Sequence, residues 1–456
     1  MLTKGNKVHF VAIGGSVMHN LAITLAEKGF VVSGSDDEIF EPSKSRLLAK
    51  GILPKNEGWD ATKITADISA VIVGMHAKAD NPELLKAKEL QLHIYSFPEF
   101  ILSQSEDKQR VVVAGSHGKT SITAMVMHVL NFHKRAFDYL VGAQLDGFQT
   151  MVKLSDAPVI IIEGDEYPSS PDDPTPKFLK YKHHLALISG IAWDHFNVYK
   201  DLDSYVRQFE ILADSTPKAG ALVCMEEDSI VEIICKKERE DVASISYATH
   251  KFEIVDNQTY LITANGKVPV SVFGKHNMQN ISGAKALLQR LGISEAMFYE
   301  AIKSFKGAAR RLELVSNIGQ THFYKDFAHA PSKVNATTEA LKSQYSNRKL
   351  IAVLELHTFS SLNKNFINQY QGSMDDADEA IIYFNPKTVA HKKLEPLTEK
   401  ELKKAFQRED IKIFTDANAL SAYLAAQEWN NKNLLMMSSG NFDYLDFTKL
   451  SQAIIA

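Results

Sequence analysis

The sequence predicts an α/β protein of three domains, and three observations predict it. The chain has 456 residues, about three times a typical domain of roughly 150. Short apolar runs alternate with helix-patterned stretches along most of its length, the rhythm of parallel sheets covered by helices. One such run, Val111-Val112-Val113, passes through two glycines into Lys119-Thr120 and then into a helix pattern.

The elements follow in order. Val8–Ile13 reads as a buried strand, broken by Gly14-Gly15 and followed by a helix through Leu21, Leu25 and Ala26 that ends at Gly29. Phe30–Gly34 is a second strand, running to Ser35-Asp36. A helix over 45–50 and a strand at Ala70–Val73 come next. The polar stretch Ser103–Gln109 reads as a linker. The second region holds strands at Val111–Val113, Val159–Ile162 and Leu185–Ser189, with a helix at Asn280–Leu291. The proline-rich stretch Pro168–Pro176 reads as a surface loop. A third region opens near Thr321, with strands at 322–324, 350–354, 380–384, 411–414 and 434–437. No repeat or low-complexity segment interrupts this order.

Composition narrows the class. Hydrophobic residues make up 45% and charged residues 23%, which excludes a disordered or fibrous chain. The net charge of −4 gives no basic excess for nucleic acid. No apolar run approaches the ~18 residues of a membrane span, and the N-terminus has no signal-peptide pattern. The expectation is a cytoplasmic protein without membrane insertion. Cys224 and Cys235 have no metal-ligand spacing and read as free thiols in a reducing compartment.

Gly115-Ser116-His117-Gly118-Lys119-Thr120-Ser121 is the strongest local signal. Glycine lets backbone N–H groups curl around phosphate oxygens, and a helix N-terminus adds its positive dipole end. Lys119 can reach the β- and γ-phosphates, and the Thr120 hydroxyl can ligate Mg²⁺. The pattern is the short form Gly-x-x-Gly-Lys-Thr, because Val113 stands where the longer form has Gly. An ordinary helix-capping turn is the alternative. The strand Val159–Ile162 ends in Glu163-Gly164-Asp165-Glu166. Three carboxylates at a strand's carboxyl end repel one another unless a cation intervenes, and Mg²⁺ shared with phosphates is the natural partner. A solvated acidic turn is the alternative. Strand Leu185–Ser189 leads to Trp193-Asp194-His195, a histidine beside a carboxylate that suits a metal ligand.

Three further segments complete a pattern: Gly274-Lys275-His276-Asn277-Met278-Gln279-Asn280, Phe305–Glu313 with Arg310-Arg311, and Tyr324–Ser332 with Asp326 and His329. In this order, after the short phosphate loop, they resemble the Mur ligases of peptidoglycan synthesis. The resemblance runs from Ile13 to about Asn441. It is nearest to two branches, one adding L-alanine to UDP-N-acetylmuramate. The other, the murein peptide ligases, joins UDP-N-acetylmuramate to L-Ala-γ-D-Glu-meso-diaminopimelate. Both share the turn Gly14-Gly15-Ser16-Val17-Met18 and the run Asp80–Glu83. Tyr167 after the acidic cluster, Lys177-Phe178 with Tyr181, and Ser439–Phe442 favour the peptide branch. Ala330 replaces a common second histidine, Gly164 replaces an alanine, and Leu354–Phe359 matches neither branch, so the incoming amine stays open. Several other Mur ligases carry a carbamylated lysine near Phe209; this chain has none there, like the two branches named.

The resemblance implies a Rossmann-like UDP-sugar domain over 1–107, a P-loop ATPase domain over 108–314 and a Rossmann-like domain for the amine substrate over 315–456. It implies an ATP- and Mg²⁺-dependent amide ligase. A carboxylate loses oxide only with difficulty, so ATP converts it to an acyl phosphate, which the amine attacks. Lys119, Glu163, His195 and His329 would be the catalytic set, with metal on Thr120, Glu163 and His195. Gly115–Ser121, Asn280, Arg311 and Asp326 would bind ATP. Gly14, Gly15, Ser16, Asp36 and Asn81 would bind the UDP-sugar. His276 and Asn277 would lie beside the nucleotide, and His9, in mid-strand, reads as core. From another class, the chain could be a nucleotide-dependent regulatory or binding protein. A dehydrogenase fits poorly, because Ser16 and His19 replace two of three fingerprint glycines.

Overall fold

The computed structural model describes residues 2–75, 77–193, 198–236, 239–309, 311–318 and 320–455. They form two compact units. The first comprises 1–193, 201–248 and 283–298, and the second 194–200, 249–282 and 299–456. The domain architecture is mixed α/β, built on parallel sheets.

The first unit contains two parallel sheets. β1 (Lys7–Val11), β2 (Val31–Ser35), β3 (Ala70–Val73) and β4 (Ile94–Ser96) pair in the order β2-β1-β3-β4. The second sheet uses β5 (Gln109–Ala114), β6 (Asp138–Leu140), β7 (Val152–Lys153) and β8 (Val159–Glu163). A ribbon, β9 (Pro168–Ser170) with β10 (Asp173–Pro176), follows. The sheet then continues with β11 (Leu185–Ile188), β12 (Ala221–Met225) and β13 (Ala243–Tyr247). Its order is β13-β12-β11-β5-β8-β6-β7, parallel except at β7. Val111–Ala114, Ile160–Ile162 and Ala186–Ile188 are fully buried, as a sheet covered on both faces requires. The two sheets of this unit are joined by Thr24, whose hydroxyl donates to the Val152 carbonyl at 2.7 Å, and by Met151 N donating to Asn20 Oδ1 at 3.0 Å.

The second unit opens with an antiparallel meander, β14 (Phe252–Val255), β15 (Gln258–Thr263) and β16 (Gly266–Val270). Thr259 donates from it to Gln344 Oε1 at 2.8 Å. The main sheet has β17 (Glu313–Ile318), β18 (Thr321–Asp326), β19 (Lys349–Glu355), β20 (Glu379–Tyr383), β21 (Lys412–Phe414) and β22 (Lys432–Met437). Its order is β17-β18-β22-β19-β20-β21, with β17 antiparallel. One apolar cluster, with Leu341, Tyr370 and Phe406, covers one set of strand side chains. Another, with Leu420, Leu424 and Leu450, covers a second set. β18 and β22 are neighbours whose following helices, Pro331–Gln344 and Phe447–Ile455, belong to different clusters. Their carboxyl ends therefore diverge into a crevice, where such sheets bind ligands.

Several expectations need correction. The first strand stops at Val11, because Ala12 turns to φ +71°. Ser103–Gln109 is no loose linker. Gln104, Ser105 and Lys108 are buried, Arg110 donates to Ser105 O at 2.7 Å, and Lys108 Nζ donates to Ser155 O at 2.7 Å and Ala157 O at 2.8 Å. Pro168–Pro176 is the β9–β10 ribbon, its prolines placed where an edge strand tolerates a missing donor. The helix expected at Asn280 begins at Lys275, and β17 was not foreseen. Cys224 and Cys235 are joined in a disulfide rather than free, because the turn after β12 brings their Cα atoms to 6.4 Å. No described helix is long and apolar enough to cross a membrane.

Candidate active site

The site is built at the carboxyl end of β5. Gly115 at φ +125° and Gly118 at φ +74° shape the loop into the helix Lys119–Phe132. A Cβ on Gly115 would lie 2.9 Å from Ser189 N and 3.1 Å from Gly190 O. That close approach lets Ser116 N donate to Gly190 O at 2.9 Å, clamping the loop on the end of β11. The helix has no side-chain cap, so its first-turn N–H groups face the loop without side-chain acceptors, a cradle for anionic oxygens.

Lys119 Nζ donates to Gly115 O at 2.6 Å and Glu166 Oε1 at 2.7 Å; Glu166 is 1% exposed. Burial alone would lower the Lys119 pKa. The Glu166 carboxylate outweighs it, helped by Glu163 and Asp165, and holds the ammonium above its ordinary value. Thr120 donates to Glu163 Oε1 at 2.7 Å, and Glu163 Oε2 accepts from Gly142 N at 2.7 Å. A hydroxyl and a carboxylate in contact at the mouth of a phosphate cradle are hard oxygen donors. They fit Mg²⁺, which takes one or two protein ligands beside phosphate oxygens. The three carboxylates do not gather round one point. Asp165 turns to Lys177 Nζ at 2.6 Å, and the described residues contain no cluster of three His, Cys, Asp or Glu suited to a metal. His195 lies outside the described residues.

One residue here was missed by sequence reasoning. Tyr205, fully buried, donates to Glu166 Oε1 at 3.0 Å and lies 3.0 Å from Ser116 Oγ. Ser116 Oγ also accepts from Ala192 N at 2.9 Å. The only local signal was an aromatic on an amphipathic helix. One turn along that helix, buried Phe209 stacks on Phe178 with ring centroids 5.4 Å apart. Apolar packing therefore fills this neighbourhood.

In the first sheet, Gly14 N donates to Asp36 Oδ2 at 2.7 Å, so the buried Asp36 ties down the glycine turn. Gly15 is the N-cap of the helix Ser16–Glu27, which again has no side-chain cap. Asn81 is buried and caps Pro82–Glu89, its Oδ1 accepting from Glu83 N at 2.9 Å and Leu84 N at 3.2 Å. His9 is core: fully buried, it meets Glu83 Oε2 at 3.1 Å and Ser33 Oγ at 2.9 Å. Arg46, unforeseen, donates to Gln149 O at 2.7 Å beside this turn.

In the second unit, His276, Asn277 and Asn280 share the first turns of one helix. Asn280 Nδ2 reaches Asn277 Oδ1 at 3.4 Å. Burial, then the Arg311 charge, pushes His276 down to about 4. The Arg311 guanidinium lies over the Phe327 ring at 5.2 Å. Asp326, at the end of β18, accepts from Leu312 N and Ala328 N, both at 2.6 Å. Burial pushes its carboxyl up, against the opposing pull of Arg311. His329 Nδ1 meets Phe327 O at 2.7 Å. The β18/β22 crevice holds a cavity of about 330 Å³ lined by Lys325, Asp326, Ser438, Asn441 and Tyr444 and by the apolar side chains of Met436, Phe442, Leu445 and Phe447. Beside it, buried Glu355 at the end of β19 accepts from Phe442 N at 2.9 Å and from the Ser438 hydroxyl. His357 Nδ1 stands 3.6 Å from it. Glu355 was also missed.

The comparisons agree with this layout. Family models match residues 7–108 as the Mur ligase family catalytic domain, 113–288 as the Mur ligase middle domain and 310–440 as the Mur ligase glutamate ligase domain. The UDP-N-acetylmuramate–L-alanine ligase of Caldicellulosiruptor bescii is 31% identical over 83% of each chain. Among solved structures, a UDP-N-acetylmuramate–alanine ligase from Thermotoga maritima covers 98% of each chain with a TM-score of 0.71 at 21% identity. The UDP-N-acetylmuramate:L-alanyl-γ-D-glutamyl-meso-diaminopimelate ligase of Neisseria meningitides covers 67% of this chain and 100% of its own. Its TM-score is 0.60 at 25% identity.

Proposed function

Because the chain belongs to the Mur ligase family of ATP-dependent amide ligases, we propose that it joins UDP-N-acetylmuramate to the tripeptide L-Ala-γ-D-Glu-meso-diaminopimelate. Residues 1–107 take the UDP-sugar, 108–314 the ATP and 315–456 the peptide. Gly115–Ser121 wrap the phosphates, and Lys119 neutralises the β- and γ-oxygens. Thr120 and Glu163 would hold Mg²⁺, and His195 would contribute to a second cation site. Bound Mg²⁺ supplies the charge neutralisation that lets a muramyl carboxylate approach an anionic phosphate. Asn280, Arg311 and Asp326, by resemblance, are further nucleotide-contacting residues carried by the second unit. Gly14, Gly15, Ser16, Asp36 and Asn81 face the UDP-sugar, and His329 lines the approach of the amine. A muramyl carboxylate oxygen attacks the γ-phosphorus of ATP and ADP leaves, giving an acyl phosphate; the neutral amine then attacks the acyl carbon, phosphate leaves, and the nitrogen gives up a proton as the amide forms.

The observation that carries the tripeptide is the 330 Å³ cavity in the β18/β22 crevice. It is a space of ligand size, larger than free L-alanine alone would fill. L-Alanine is the second reading, favoured by the name of the 31%-identical relative. ADP release with UDP-N-acetylmuramate and each amine in turn separates them. Turnover with tripeptide supports the proposal; turnover with L-alanine alone replaces it with the second reading.

A further inference from the structure

We propose that Glu166 is a built-in counter-ion for Lys119, which the nucleotide must displace, and so a positioning residue that sets nucleotide affinity. The inference rests on the nucleotide reading of the loop. Lys119 Nζ has three donors, and two are already engaged, by Gly115 O at 2.6 Å and Glu166 Oε1 at 2.7 Å. Glu166 cannot drift away. It is 1% exposed, and the buried Tyr205 hydroxyl donates to the same oxygen at 3.0 Å. Tyr205 in turn lies 3.0 Å from Ser116 Oγ, inside the phosphate loop. The lysine, the carboxylate and the loop therefore form one hydrogen-bonded chain with an anion already against the cation.

The other two carboxylates of the same strand end are committed elsewhere, Glu163 to Thr120 and Gly142 N, and Asp165 to Lys177. Glu166 alone of the three contacts the phosphate-loop lysine. A buried cation needs an anion beside it. Without nucleotide, Glu166 fills that need. With nucleotide, phosphate oxygens compete for the same ammonium, and the exchange leaves a buried carboxylate close to a polyanion. Glu166 therefore subtracts from the affinity for any nucleotide that reaches Lys119. A weaker grip favours release of ADP after each turnover.

The test is nucleotide affinity of the full-length protein by calorimetry, with Mg²⁺. Glu166→Gln keeps the shape and an acceptor for Tyr205 and removes the charge. ATP and ADP should each bind about tenfold tighter or more, while AMP, which ends short of the lysine, should be unchanged. Asp165→Asn removes an equal charge next door and should change ATP affinity several-fold less. Glu166→Asp, which keeps the charge but withdraws it by one methylene, should tighten ATP by an intermediate factor and covers the case of a poorly folded Gln variant. Weaker ATP binding by Glu166→Gln, or tightening matched by Asp165→Asn, overturns the proposal. Absence of ATP binding by the wild type would instead overturn the nucleotide reading.

Discussion

Lys119→Ala is the sharpest perturbation of the site. It removes the ammonium and leaves Glu166, 1% exposed, without its ion partner. Removing one partner of a buried pair costs about 3–5 kcal/mol. Glu166 keeps its hydrogen bond from Tyr205, so the low end applies, about 3 kcal/mol. At roughly 2–4 °C per kcal/mol, that is a loss of about 6–12 °C in unfolding temperature. Lys119→Ala/Glu166→Gln replaces an orphaned charge by a neutral pair and should recover most of it. Turnover should fall at least about 10²–10³-fold in both variants, because neither can neutralise phosphate charge. Differential scanning fluorimetry and ADP release measure the two effects. Near-normal turnover in Lys119→Ala would refute the phosphate-loop assignment. A double variant no more stable than the single would refute the pairing argument.

Glu163→Gln should lower turnover by about 10²-fold and shift half-maximal Mg²⁺ upward; an unchanged Mg²⁺ titration would contradict its place at the metal. Cys224→Ser/Cys235→Ser opens an 11-residue link and should cost about 3 kcal/mol, read as a lower unfolding temperature that reductant no longer changes. Buried His183, bonded to Thr216 Oγ1 at 2.8 Å, is lowered from 6.5 to about 4 by burial, then by the charges of His184 and Arg110. An unfolded histidine binds its proton first as pH falls. Its contribution is therefore intact above about pH 6.5 and drains away toward pH 4, by about 2 kcal/mol at pH 5. In His183→Gln, urea midpoints at about pH 7 and pH 5 should lie closer together than in the wild type.

What the sequence revealed was what lies close along the chain. β5, the glycine loop and the helix from Lys119 are consecutive, so strand, turn and helix signals reinforce one another. Glu163 stands at the end of an unbroken apolar run, which marks it as a strand terminus. The Glu166–Tyr205 contact spans 39 residues, and Glu355 meets Phe442 across 87. No local pattern encodes such contacts, because they form when separate strands and helices converge. Polar residues misled where they serve packing. Lys108 and Arg110 look solvated in sequence, yet both spend their donors on backbone carbonyls in the interior. Lys177, Phe178 and Tyr181, which favour the peptide branch by resemblance, prove to be an ion-paired lysine and two buried rings.

The central claim is that ATP activates a muramyl carboxylate as an acyl phosphate. Heavy oxygen placed in the carboxylate of UDP-N-acetylmuramate tests it directly. With tripeptide, ATP and Mg²⁺, mass spectrometry of the released phosphate should show one heavy oxygen per amide formed. Phosphate released without label during amide formation would contradict the account.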